Sequence, residues 1–259
     1  MTAKNTNIKK MKRRNYKHYI RKTHRYLGIF LGIQFLFWTL GGLYFSWTNI
    51  KEIRGENLRK ESAEINFKQD FIAPKTVIDE VEKTPNVSTI QGLRVIEIFG
   101  ASFYEFKILD QNKKQKFVVA DAVTGKIRLP ITEEEAKKIA AESLTTPNKI
   151  KQTTYLTAEN VGGHHEYREK PLPAWAVTFE DNLTVYLSAE TGQIGAFRTD
   201  KWRVFDFLWM LHTMDFQERD NINNYLLRGF SLLGIITIFS GFLLFFVSSR
   251  FFRKLFAKT

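Results

Sequence analysis

The feature that most constrains this chain is a pair of long uncharged apolar runs, one near each end. No residue from 26 to 50 is charged, and the core of that stretch, LGIFLGIQFLFWTLGGLYFSW (27–47), is 21 residues long. The second run, GFSLLGIITIFSGFLLFFVSS (229–249), is also 21 residues. At about 1.5 Å per residue, either run in helical form crosses the ~30 Å hydrocarbon layer of a bilayer. The first run exceeds the apolar core of a signal peptide, about 7–15 residues, and no small-x-small cleavage site follows it, so it reads as a retained anchor. Tyr26, Phe251 and Phe252 flank the runs beside basic segments, and Tyr44 and Trp47 stand at the opposite end of the first. Aromatic rings at both ends match the belts that sit at membrane–water interfaces.

The formal net charge is +12, from 39 Lys+Arg against 27 Asp+Glu. Ten of the basic residues lie between positions 4 and 25 and four between 250 and 258, with no acid in either segment. The remaining body is slightly acidic. The charge therefore orients a membrane protein, with both basic tails in the cytoplasm and residues ~51–225 on the far side. It argues against a nucleic-acid partner. With 44% hydrophobic residues the chain is too apolar for disorder. With no cysteine it has no disulfide, Fe–S cluster, thiolate zinc site, thiol nucleophile or covalently attached c-type haem.

Between the runs the sequence repeats itself. DAVTGKI (121–127) matches SAETGQI (188–194), and Thr84-Pro85-Asn86 matches Thr146-Pro147-Asn148. The offset grows from 62 to 67, and the polar GGHHEYREKPLP (162–173) is the natural place for the insertion. Each copy reads as a helix followed by strands. Thr132 with Glu135 three residues on is a capping box, and Ala136, Ile139, Ala140 and Leu144 form an apolar stripe behind it. The first helix is expected at 74–83, with Pro74 in its first turn. Strands are expected at 93–99, 102–109, 116–122, 174–180 and 183–189. Thr-Gly after a strand marks a tight turn in which glycine supplies a positive φ.

A helix, strands and then D-A-x-T-G-x-I resembles the PepSY domain, and the flanks resemble PepSY-associated transmembrane proteins. The first span of that family opens with an Arg-x-x-His-Arg-aromatic-Leu-Gly signature, present here as RKTHRYLG (21–28). Its later span follows a Leu-His element, here WMLHTMDF (209–216). The resemblance implies two themes. Free PepSY modules resemble metalloprotease propeptides and modulate peptidases; membrane-embedded members include haem-bearing reductases of ferric siderophores. Those reductases typically have four or more spans, and this chain has two.

On this reading the cofactor is b-type haem and its candidate ligands are His24 and His212, with Arg228 a candidate partner for a propionate or an anionic substrate. Imidazole is an established haem-iron ligand. Gly28 and Gly32 beside His24 leave room for a flat macrocycle, but the same Gly-x-x-x-Gly spacing suits close helix packing. The two histidines belong to opposite membrane faces, ~30 Å apart, so one haem cannot take both from one chain. Bis-His ligation then needs a homodimer or another membrane subunit. His164 and His165 are weaker candidates for a metal, because adjacent side chains of an extended segment point apart. A solvated loop is the plainer expectation for them. The chain has no P-loop, GxGxxG, GxSxG or HExxH motif, and no catalytic residue is assigned.

The expected protein is α+β: two transmembrane helices flank an extracytoplasmic tandem PepSY-like domain, each copy a helix packed on a small antiparallel sheet. Its parts are a basic tail (1–25), a first span (26–50), a linker (51–70), two repeats (71–130 and 131–200), an interfacial amphipathic helix (201–218), a second span (225–249) and a second basic tail (250–259). The expected setting is the bacterial inner membrane. The function expected is an accessory role in envelope iron handling, with electron transfer to ferric chelates. The alternative is a haem-free binding or regulatory module that acts on a peptidase or other envelope protein.

Overall fold

The computed structural model describes residues 2–61, 69–85 and 87–249. The second basic tail, Asn86 of the Thr-Pro-Asn repeat and the 62–68 stretch of the linker lie outside the described residues. The chain divides into a helical unit, Met1–Trp47 with Phe205–Thr259, and a body, Thr48–Val204.

In the body, a short helix α2 (Ile50–Ile53) and a 3-10 turn (Glu56–Leu58) lead to α3 (Pro74–Glu82) and then four strands: β1 (Val87–Ile98), β2 (Ala101–Asp110), β3 (Gln115–Asp121) and β4 (Ile127–Arg128). The pattern recurs with α4 (Glu133–Glu142), β5 (Ile150–Leu156), β6 (Ala174–Phe179), β7 (Thr184–Ser188) and β8 (Ile194–Arg198). Each set of four strands is one antiparallel sheet in sequential order. The five expected strands are all present, within one residue at their ends except that β1 starts six residues earlier than expected. Sequence reasoning did not name β4, β5 or β8. Only Leu156 of β5 is fully buried, so its residues lack the alternation that announces a strand.

Burial explains both halves. Val77 and Val81 of α3 pack on Tyr104, Phe106, Ile108 and Ala120. Ala136 and Ala140 of α4 pack with Val177, Phe179, Val185 and Leu187. Each fully buried large side chain contributes roughly 1.5–3 kcal/mol. The capping box at Thr132 is made: Glu135 N–H donates to Thr132 Oγ1 at 3.3 Å, and Thr132 N–H donates to Glu135 Oε2 at 2.9 Å. Gly125 and Gly192, the glycines of the two Thr-Gly turns, have φ of 72° and 69°. Gly192 also lies so close to α4 that an added Cβ would stand 3.1 Å from Ile139 Cδ1.

In the helical unit, α1 (Thr2–Trp47) runs unbroken from the basic tail through the first apolar run. The C-terminal part of α5 (Asp200–Thr213) and all of α6 (Tyr225–Ser248) complete it. Two helical stretches are long and apolar enough to cross a membrane, His18–Trp47 and Tyr225–Phe246. Only 11% of each is buried, unlike the core helix of a soluble protein.

Candidate functional site

A groove of about 550 Å³ lies beside β1 in the body. β1 is an edge strand, and no other strand pairs with its outer side among the described residues. Its hairpin to β2 turns through two residues, Phe99 and Gly100, both at positive φ (54° and 77°). In such a hairpin the flanking pair, Ile98 and Ala101, exchanges hydrogen bonds, as do Ile96 with Phe103 and Arg94 with Glu105. The backbone N–H and C=O groups of Leu93, Val95 and Glu97 therefore point away from the sheet. Gln193 Nε2 donates to one of them, Glu97 O, at 3.4 Å. The far wall is Ser143, the C-cap of α4, with the turn at Gly192–Ile194. A strap closes one end, with Lys60 N–H donating to Ser143 O at 2.8 Å. The groove thus joins an apolar floor (Ile96, Ile98, Ile139) to a row of outward backbone groups.

Several charges around it are paired. Arg94 grips Glu105, which is buried, at 2.5 and 2.9 Å. The Glu97 carboxylate accepts Gly100 N–H at 2.6 Å. Glu190, at the second Thr-Gly turn, accepts Phe117 N–H of β3 at 3.0 Å and so ties the two halves together. Burial pushes its carboxyl above the ordinary range.

The insertion that carries His164 and His165 is exposed along much of its length but anchored at its centre. The register sets Ile96 opposite Phe103 and Leu156 opposite Ala174, so six residues join these pairs in the first half and seventeen in the second. Within the seventeen, Tyr167 is buried to 1% exposure and stacks on Tyr186 at 4.9 Å. Glu166 takes Arg203 Nε at 2.5 Å and Tyr186 Oη at 3.2 Å. His164 is exposed, whereas His165 Nδ1 accepts Tyr167 N–H at 3.0 Å. No cluster of three His, Asp or Glu able to hold a metal occurs among the described residues.

His165 makes the insertion pH-sensitive. Burial lowers its pKa, more than the Glu166 carboxylate raises it. The folded form thus holds the neutral ring, with Nδ1 as acceptor. Below about pH 6.5 the unfolded chain binds a proton that the folded chain resists, so stability falls with falling pH in that window and is flat above it. The His165 ring signal is expected to titrate below the ordinary imidazole value in an NMR pH series. A midpoint at or above that value would contradict the buried acceptor role.

In the helical unit the two candidate haem ligands stand apart. His24 Nδ1 lies 2.7 Å from Ser240 Oγ, and its Cε1 lies 3.2 Å from where a Cβ on Gly241 would be. The ring is held against α6 as a packing group. Gly241 and Gly234 provide the close approach; Gly28 and Gly32 face open space. His212 stacks on Trp209 at 6.1 Å and lies near Trp38 and Phe45, at 6.0 and 6.2 Å. Fourteen to twenty-one residues of α1 separate His24 from these contacts, about 21–32 Å along the helix. The residues present do not fit one haem held by both histidines of a single chain. Arg228 lies over the Tyr225 ring at 5.9 Å and reaches Asn223 Oδ1 at 3.5 Å.

Sequence reasoning missed Glu190, Tyr167 and the groove, because each depends on segments distant in the chain. Comparison with known proteins bears on the second half of the body. Residues 130–194 match the PepSY family, described as peptidase propeptide and YPEB domain. Nothing among the curated proteins matches. A solved structure, the YpmB protein from Bacillus subtilis, aligns over 50% of this chain and 99% of its own at 20% identity and a TM-score of 0.23, too loose a likeness to carry weight. The match covers α4 and the strands up to the start of β8, together with the Thr-Gly turn that walls the groove, and on it residues 130–194 of this chain are a PepSY domain.

Proposed function

We propose that this protein is a two-pass, membrane-anchored binding module whose body holds an extended polypeptide segment, contributed by a peptidase or another envelope protein. The carrying observation is the β1 edge, unpaired by any strand among the described residues and opening onto the groove, beside a domain of the peptidase-propeptide type. Backbone groups left unpaired at a sheet edge recruit another extended chain, and the apolar floor selects its side chains. The first half, with its matching helix and four-strand order, is read as a second PepSY-like copy. The basic tails support a topology with both termini in the cytoplasm and the body outside, at a bacterial inner membrane.

The test is a photo-crosslinking residue at Leu93, exposed on the β1 edge, in intact membranes. Tyr155, exposed on the equivalent edge strand β5, is the control. A discrete polypeptide adduct at position 93 and none at 155 is expected. Equal or absent yield at both positions removes the edge-binding reading. The haem-bearing alternative in iron handling predicts a Soret band lost in His24→Ala or His212→Ala. The packing of His24 on Ser240 and Gly241 instead favours a colourless protein.

A further inference from the structure

We infer that the outer surface of the bilayer meets this chain at the break between α5 and α6, residues 214–224, and not at Trp47 where the apolar run of α1 ends. The inference rests on the two-span reading above.

The partners of α1 change along its length. α6 accompanies its first part, antiparallel: His24 meets Ser240, Phe30 stacks on Phe230 at 5.3 Å, and the Phe35 ring lies against Gly234. Farther along, α5 takes over. Gln34 Nε2 donates to Leu211 O at 2.8 Å, Trp38 Nε1 donates to His212 O at 3.0 Å, and Phe45 packs on Phe205 at 4.7 Å. The break therefore lies level with about residues 34–38 of α1. This part of α5 meets α1 at Gln34, Trp38, Gly41 and Phe45.

Two placements of the bilayer compete. If Arg25 marked the inner edge, ~30 Å of hydrocarbon would reach Phe45. The break would then be immersed. So would Glu218 and Asp220, which are exposed and too short to reach water. The apolar end of α6, including the exposed Phe242, Leu243, Phe245 and Phe246, would stand in the cytoplasm. If instead the break marks the outer edge, these four enter the membrane, and Glu218 and Asp220 reach water. Arg21 and Lys22 lie deeper, but both are exposed, and their long stems carry the charge back toward the inner interface; Arg25, about 10–17 Å from that edge, is the one charge this placement immerses, against two carboxylates in the other.

The break itself suits an interface. Its polar interior is satisfied: Asp206 pairs with Arg219, and Asp215 accepts the N–H groups of Gln217, Glu218 and Asn221. Its exposed apolar side chains, Phe216, Ile222 and Tyr225, are of the kind that seat among headgroups. Residues of α1 beyond about 40, with the α5 segment packed on them, then stand on the water side.

The chain has no cysteine, so single-cysteine variants can carry one nitroxide each in the full-length protein reconstituted in phosphatidylcholine–phosphatidylglycerol vesicles. Leu43→Cys, Trp47→Cys, Phe216→Cys, Ile222→Cys and Leu232→Cys all replace exposed side chains, which spares the fold. Positions 43 and 47 should relax with an aqueous nickel chelate, 232 with oxygen only, and 216 and 222 at the crossover. Loss of nickel access at 43 and 47, to the level of 232, overturns the inference and leaves the two-span reading intact. Nickel access at every position, 232 included, removes the two-span reading itself.

Discussion

A Tyr167→Ala variant loses about 3–5 kcal/mol of stability, the cost of deleting a large, fully enclosed aromatic side chain. Tyr167 is the one fully buried residue of the seventeen that join β5 to β6, and its ring stacks on Tyr186 within 14° of parallel. The segment has no helix or strand to hold it. Its order depends on this anchor, on Glu166 gripped by Arg203, and on Arg198 Nε donating to Glu166 O at 3.0 Å. Without the ring, a cavity opens between the insertion and the second sheet, where Leu156, Ala174 and Ala176 join the same cluster. Tyr167→Phe keeps the ring and should change little. Chemical denaturation of both variants in mild detergent measures the difference. A loss below about 1 kcal/mol for the alanine variant would show that the insertion is held by its ion pairs instead.

Val95→Pro abolishes the crosslinked adduct at Leu93 and leaves the melting of the body almost unchanged. The backbone N–H of Val95 points away from β2, so proline removes no bond of the β1–β2 ladder. It does remove a donor that an added strand needs, and its ring fills the edge. Ile96→Pro is the contrasting variant. That N–H faces β2, so the ladder breaks and the first sheet melts. An adduct that survives Val95→Pro would mean that side chains of the groove, and not the strand edge, hold the ligand.

The pattern of the helix faces was legible in the sequence. The apolar stripe Ala136, Ala140 and Leu144 is the buried face of the second half, and Thr132 with Glu135 caps its helix as the spacing required. The two apolar runs announced their helices by length and lack of charge. β5 was not legible, because only its end residues, Ile150 and Leu156, enter the hydrophobic clusters, and the run between them does not alternate. The insertion was read as a polar, solvated loop; its composition is polar, yet one tyrosine in the middle finds a stacking partner in β7.

Local chemistry determined what kinds of element this chain forms: uncharged runs long enough to cross a membrane, a capped amphipathic helix, and turns that need glycine at positive φ. Those depend on spacing within a few residues, which a sequence states directly. The tertiary structure alone decided which edges and side chains remain available. β1 has no strand on its outer side among the described residues, and His24 is a packing residue because Ser240 and Gly241, more than two hundred residues away, meet its ring. Such contacts follow from the global burial of apolar surface, to which every segment contributes, so no window of sequence contains them.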